Sequence, residues 1–249
     1  MDFTGKNVIV TGGANGIGRA VVDGIVAGGG KAIIVDINLD AARGVADELG
    51  NSSVFPYKVD LSNPDEIRNV FTQIINDMGQ VHVLINSAGI VSTKPFEEIT
   101  QAEWDRVIAI DLTALFVCCS AVYPHMVGNA YGRIVNISSV AAKLGGGLLG
   151  TSAYATAKAG VNGLTKAIAR EGAAKGVACN AVCPSLTFTS MISENTSDEK
   201  IELIKAAIPM KRGAQPKEIA NVVLFYASDL ASFVTGEISD VDGGLTRDG

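Results

Sequence analysis

Short apolar, β-branched runs alternate along the chain with longer stretches whose apolar residues recur every three or four positions. Asn7–Val10, Ala32–Val35, Val54–Tyr57, Val81–Ile85, Arg133–Ile137, Val177–Val182 and Glu237–Val241 make up the first set and predict strands. Several are apolar on both faces, the pattern of strands covered on two sides in a parallel sheet. Gly16–Ala27, Leu39–Leu49, Pro64–Met78, Ala102–Met126, Ser152–Ala174 and Pro216–Ala227 predict helices. Asn63-Pro64 and Gln215-Pro216 put proline at a first helical position, where its missing N–H costs nothing. Strands alternating with helices predict an α/β fold. The expected form is a doubly wound, mostly parallel seven-stranded sheet with helices on both faces and right-handed crossovers.

The 249 residues are expected to form a single domain, 1–249. A chain of this mass buries about 70% of its unfolded surface. Hydrophobic residues at 47% and charged residues at 18% exclude a disordered chain. Thr187–Ala207 is polar and long for a connection, and is expected to be a substrate lid (187–207). A net charge of −6 with no Lys/Arg run disfavours nucleic acid. Cys118, Cys119, Cys179 and Cys183 form no C-x-x-C and are expected as buried thiols in a reducing compartment. His82 and His125 stand far apart, so no metal site is expected. The N-terminal residues do not read as a signal peptide, and the apolar stretch Leu112–Tyr123 is short for a membrane span. The expectation is a cytoplasmic protein with no membrane partner.

Thr11-Gly12-Gly13-Ala14-Asn15-Gly16-Ile17-Gly18 joins the first predicted strand to the first helix. Free backbone N–H groups and the positive helix end meet there, which suits a pyrophosphate. Gly12 permits the turn, Gly16 lets backbone approach the anion, and Gly18 lets helix and strand pack closely. Asp36 follows Gly18 by 18 residues, at the end of the second strand. A carboxylate there accepts from adenosine ribose hydroxyls and repels a 2′-phosphate. No Arg or Lys occurs at Ala14, Asn15, Ile37 or Asn38 to offset that repulsion. The expected cofactor is therefore NAD(H).

Tyr154 and Lys158 lie at i and i+4 near the start of a predicted helix and share a face. An adjacent ammonium favours the phenolate and draws a tyrosine toward the working range for proton transfer. Ser139 lies at the carboxyl end of the fifth predicted strand, where a hydroxyl can hold a substrate oxygen.

With these motifs in this order, the chain resembles the short-chain dehydrogenase/reductase family over essentially its whole length. The resemblance rests on Thr11-Gly12-x-x-x-Gly16-Ile17-Gly18, Asp60 in Val59-Asp60-Leu61, Asn86-Ser87-Ala88-Gly89, Ser139, Tyr154-Ala155-Thr156-Ala157-Lys158 and Val241-Asp242-Gly243-Gly244. It implies a Rossmann-type sheet and hydride transfer at nicotinamide C4, chemistry that the cofactor supplies. Tyr154 would be the general acid/base. Lys158 would lower its pKa and bind the nicotinamide ribose, and Ser139 would hold the substrate oxygen. Asp60 and Leu61 would lie beside adenine. Asn86, Ala88 and Gly89 would line the adenosine ribose region, and Thr187 and Thr189 would meet the carboxamide.

Three departures from the family pattern stand out. Its fourth catalytic position, usually Asn, is Asp111, which keeps an acceptor, adds a charge and tends to raise the pKa of Lys158. The usual Pro-Gly is Pro184-Ser185. Ser139 and Tyr154 are two residues further apart than is usual, the extra length falling in the segment 145–150.

Leu144, Leu148, Leu149, Leu186, Phe188, Met191 and Ile192 cluster in segments expected to border the substrate, so the expected substrate is a largely apolar secondary alcohol or ketone. The chain also resembles 3-oxoacyl-[acyl-carrier-protein] reductases. Those customarily use NADPH and often carry basic residues where this chain has Val127-Gly128-Asn129-Ala130. That activity is the alternative, and a non-catalytic dinucleotide sensor is the alternative of another class. Ala102–Met126 is apolar on more than one face. The matching helix of the family lies in a subunit interface, which implies a homotetramer or homodimer.

Overall fold

The structure is a computed structural model that describes residues 1–146 and 150–246. Leu148 and Leu149, expected near the substrate, lie outside the described residues. Seven strands form one sheet: β1 (Asn7–Thr11), β2 (Lys31–Asp36), β3 (Val54–Lys58), β4 (Val83–Asn86), β5 (Gly132–Ile137), β6 (Val177–Pro184) and β7 (Ile238–Val241). Their order is β3-β2-β1-β4-β5-β6-β7, and every pairing is parallel. The sheet is thus wholly rather than mostly parallel.

Alternation within the strands divides the core in two. Val8 and Val10 of β1 and Ile34 of β2 face α1 (Gly16–Ala27), α2 (Leu39–Leu49) and a late helix, α10 (Pro216–Ala227). Ile9, Ile33 and Leu84 face the other way, onto α3 (Pro64–Met78), α5 (Ala114–Gly128) and α7 (Ser152–Gly172). One period-2 pattern therefore feeds two helical layers. The helix starts follow the predicted signals. Asn63 accepts from the backbone N–H of Asp65 and Glu66 ahead of α3, and Glu218 closes a capping box with Gln215 ahead of α10.

Two expectations change in detail. Val81 is buried but precedes β4, because His82 N–H already donates to Asn7 O and the ladder starts at Val83. The long helix predicted over 102–126 runs from α4 (Gln101–Ile108) into α5 through one π turn, Ala109–Thr113. Gln101–Gly128 as a whole has the length and apolar character to cross a membrane, unlike the shorter stretch Leu112–Tyr123. Its α5 portion packs on α3, β4 and β5, with Leu115, Val117, Val122 and Met126 buried.

The expected lid is helical, comprising α8 (Ser190–Asn195) and α9 (Asp198–Ala207). Leu186, Ile192, Ile204 and Ile208 form a small core of its own, with Phe188 and Ile201 packed against it. Its stems meet where Thr187 bridges Ala214; Phe188 N–H donates to Ala214 O and Ala214 N–H to Leu186 O.

Candidate active site

The sheet order reverses direction between β1 and β4, and the loops leaving those strands part to form a cleft of about 480 Å³ at their carboxyl ends. Gly12 and Gly16 adopt left-handed φ values of +65° and +56°. A Cβ on Gly12 would lie 2.8 Å from Ala88 Cα, and one on Gly18 only 2.2 Å from Gly12 O. Side chains at either position would push the loop off β4 or off its own helix. Thr11 Oγ1 accepts from the N–H groups of Ser87 and Ala88 (3.1 and 3.3 Å), tying the two loops together. Asn15, at the N-cap of α1, makes no side-chain capping bond, so the first-turn N–H groups face the cleft without a side-chain acceptor. This cradle fits the phosphates of a dinucleotide.

Asn15, Gly16, Ile17, Asp36, Asp60, Leu61, Ala88, Gly89, Thr187 and Thr189 line the same cleft. Asp36 is oriented by two backbone donors, Ala14 N–H (3.2 Å) and Asn38 N–H (3.0 Å). Asp60 accepts from the hydroxyl and the N–H of Ser62, which hold its carboxyl below the usual range. Gly18 packs against Gly12 behind the loop, in the close helix–strand packing expected of it. One residue expected at the cofactor is placed otherwise. Asn86 turns away from the cleft, donating to Asn136 Oδ1 (2.9 Å) and to Cys119 Sγ (3.4 Å) in the interior. Its place on β4, opposite Asn136 of β5, explains the inward turn.

At the other end of the cleft lie Ser139, Tyr154 and Lys158. Ser139 sits two residues beyond β5 and accepts from Ala141 N–H (3.1 Å). Lys158 is 4% exposed. Its Nζ donates to Ile137 O (3.1 Å), lies 3.3 Å from Asp111 Oδ2 and 5.5 Å from the centre of the Tyr154 ring. The π turn carries Asp111, whose Oδ1 accepts from Ile90 N–H (2.8 Å). Burial pushes the Asp111 carboxyl up against the pull of Lys158. Burial also works against the Lys158 ammonium, but Asp111 and Tyr154 outweigh it and hold the lysine above its ordinary value.

Tyr154 departs from the expectation. Burial raises the phenol above its ordinary value; Lys158 and a hydrogen bond with Ser139 pull it down, while Asp111 pushes it up. The ammonium does not bring it toward neutrality, because burial outweighs its pull and a carboxylate shares its charge.

Several supporting groups carried no sequence signal. Gly150 leaves room for the tyrosine, since a Cβ there would lie 2.1 Å from Tyr154 Cδ1. Thr151 donates its N–H and hydroxyl to Ser92 O (2.9 and 3.0 Å), pinning the start of α7 to the β4–α4 connection. The Cβ at Ser185 is accommodated, and its hydroxyl donates to Asp242 O (3.0 Å). Of the residues expected around the substrate, Leu186, Met191 and Ile192 line the cleft, joined by Ile204; Phe188 packs on the small core of Leu186, Ile192, Ile204 and Ile208, and Leu144 is half exposed and outside the lining.

A sequence family described as enoyl-(acyl carrier protein) reductase matches residues 12–246. The 3-oxoacyl-[acyl-carrier-protein] reductase FabG of Aquifex aeolicus is 36% identical over 98% of this chain and 99% of its own. The acetoacetyl-CoA reductase of Shinella zoogloeoides is 39% identical over 95% of this chain and 96% of its own. Among solved structures, a candidate NAD(P)-dependent gluconate 5-dehydrogenase from Beutenbergia cavernae, with NADP bound at low occupancy, superposes with a TM-score of 0.92. It is 34% identical and covers 98% of both chains. The chain belongs to the short-chain dehydrogenase/reductase family and is an oxidoreductase that uses a nicotinamide dinucleotide. The sensor reading falls away.

Proposed function

We propose that this enzyme reduces a 3-oxoacyl thioester, as a 3-oxoacyl-[acyl-carrier-protein] reductase does. The observation that carries the proposal is the full-length similarity to relatives named for 3-oxoacyl and acetoacetyl thioesters, two forms of one functional group. It displaces the simpler secondary alcohol or ketone as the leading substrate class. The apolar wall of Leu186, Met191, Ile192 and Ile204 suits an acyl chain.

The reduced nicotinamide supplies a hydride to the carbonyl carbon when bound. Gly12, Gly16 and the α1 N-terminus would hold the pyrophosphate, Asp36 the adenosine ribose, and Lys158 the nicotinamide ribose. Ser139 would hold the carbonyl oxygen. The Tyr154 O–H breaks as its proton passes to that oxygen, and the phenolate regains a proton from solvent.

NADPH is the cofactor supported by the reductases the sequence resembles and by the NADP-bound neighbour. A second reading, NAD(H), rests on the Asp36 carboxylate in the cleft, with no cation at Ala14, Asn15, Ile37 or Asn38 to receive a 2′-phosphate. Loss of absorbance at 340 nm with acetoacetyl-CoA, measured with NADPH and with NADH, tests both. Turnover with neither cofactor overturns the substrate class, and turnover with NADH alone selects the second reading. Tyr154→Phe, the control, is expected to lose about 100- to 10,000-fold in kcat.

We propose also that the enzyme assembles as a homotetramer or homodimer through the outer face of α5, where Phe116 is 52% exposed. Light scattering that returns a monomer overturns this.

A further inference from the structure

We propose that Asp111 neutralises Lys158 and so holds Tyr154 as the protonated phenol, extending carbonyl reduction to high pH. The inference rests on the oxidoreductase reading above and deepens it. It stands first on placement. Asp111 is 1% exposed and fixed on both sides, by Ile90 N–H on Oδ1 and by the Lys158 ammonium 3.3 Å from Oδ2. Oδ2 is paired with the lysine, and its charge also reaches the Tyr154 phenol. A Cβ on Gly89 would lie 3.2 Å from Asp111 Oδ2 and 3.3 Å from Lys158 Nζ, so a larger residue at 89 would crowd the pair.

Charge counting gives the consequence. With a neutral residue at 111, a buried ammonium would stand beside the tyrosine, and ionising the phenol would cancel that charge. With Asp111 the lysine is already balanced, and ionisation would leave a net negative charge in a buried site. The other groups facing the phenol do not change this sum. Cys183 of β6 is a thiol pushed up by burial, and Ser139 is a hydroxyl. The Lys143–Asp240 pair beside Cys183 (2.7 Å) balances itself. Reduction consumes the Tyr154 proton, so a phenol that resists ionisation stays competent to high pH. Oxidation starts from the phenolate and so levels off only at correspondingly higher pH.

The test is the ultraviolet titration of Tyr154 in cofactor-free protein. It is obtained by subtracting Tyr154→Phe from the parent and is read just after a pH jump, ahead of alkaline unfolding. The same difference is taken in an Asp111→Asn background, where Oδ1 still accepts from Ile90. The expected result is a midpoint lowered by about one unit or more in Asp111→Asn, with the alkaline limb of the reductase profile moving down by the same amount. A smaller shift overturns the proposal. Should Asp111→Asn not fold, Asp111→Ser, which also removes the charge, is read against the same limit. The titration needs no substrate, so an enzyme inactive on acetoacetyl-CoA would refute the substrate class and leave this result standing.

Discussion

The two ends of the sheet use polar residues in opposite ways. At the amino ends of the strands they are consumed by one another. Lys6 (4.0 Å) and Arg133 (4.7 Å) both stand over the Tyr131 ring, whose hydroxyl donates to Asp229 (2.7 Å), which also pairs with Lys6 (3.4 Å). Both histidines act as acceptors for backbone there, His82 Nδ1 for Asn7 N–H and His125 Nε2 for Val81 N–H. At the carboxyl ends, Asp36, Ser139, Tyr154, Lys158 and Thr187 line an open cleft. Parallel strands make the division possible, since every carboxyl end emerges on one side. The difference teaches that the same residue types hold the scaffold at one edge and remain available for chemistry at the other.

Substitutions can break that contrast from either side. The largest effect is expected from Gly150→Ala. The new Cβ would displace the Tyr154 ring, with a loss in kcat of about 100-fold or more and a circular dichroism spectrum unchanged from the parent. A folded variant with parental turnover would show that ring placement is not limiting.

Acid should act on the opposite edge. Burial and the neighbouring Lys6 hold the His82 pKa below its ordinary value. The folded chain therefore favours the neutral ring that accepts from Asn7. That contribution is complete above the unfolded pKa of about 6.5 and is lost as pH falls below it. Denaturant titrations are expected to show less stability at pH 5 than at pH 7 from this group, and His82→Asn should flatten the difference. A pH dependence identical in the variant would assign the acid sensitivity elsewhere.

Asp229→Asn is expected to have the smallest effect, a loss of about 1 kcal/mol or less, because its side chain is 60% exposed and its ion pairs are screened. Turnover should not change. A large fall in activity would mean that the two edges are coupled through the sheet.

Most of this architecture was legible before any coordinates. The β-branched runs with no polar face could only be covered strands, and Gly12, Gly16 and Gly18 stood where strand meets helix. Asp36, Ser139, Tyr154 and Lys158 could be read because each is tied to a strand end or to helical spacing. What could not be read depends on long-range contact. The inward turn of Asn86 is decided by Asn136, which lies 50 residues away. The π turn at Ala109–Thr113 leaves the apolar periodicity of the long helix nearly intact. Gly150 resembles any loop glycine until the tyrosine ring is seen against it. The spacing of Tyr154 and Lys158 places the ammonium by the phenol, but the net rise of the phenol comes from its burial and from the position of Asp111.

The crossing at Thr187 and Ala214 has a practical consequence. The chain leaves and re-enters the body of the protein beside this hydrogen-bonded point, so the stems of the segment are fixed to each other before they are fixed to the sheet. The segment still answers to both ends of the cleft, since Thr189 lies against Gly16 and Met210 N–H donates to Gly243 O. A change of acyl-facing residues in α8 or α9 is therefore felt at the phosphate loop as well.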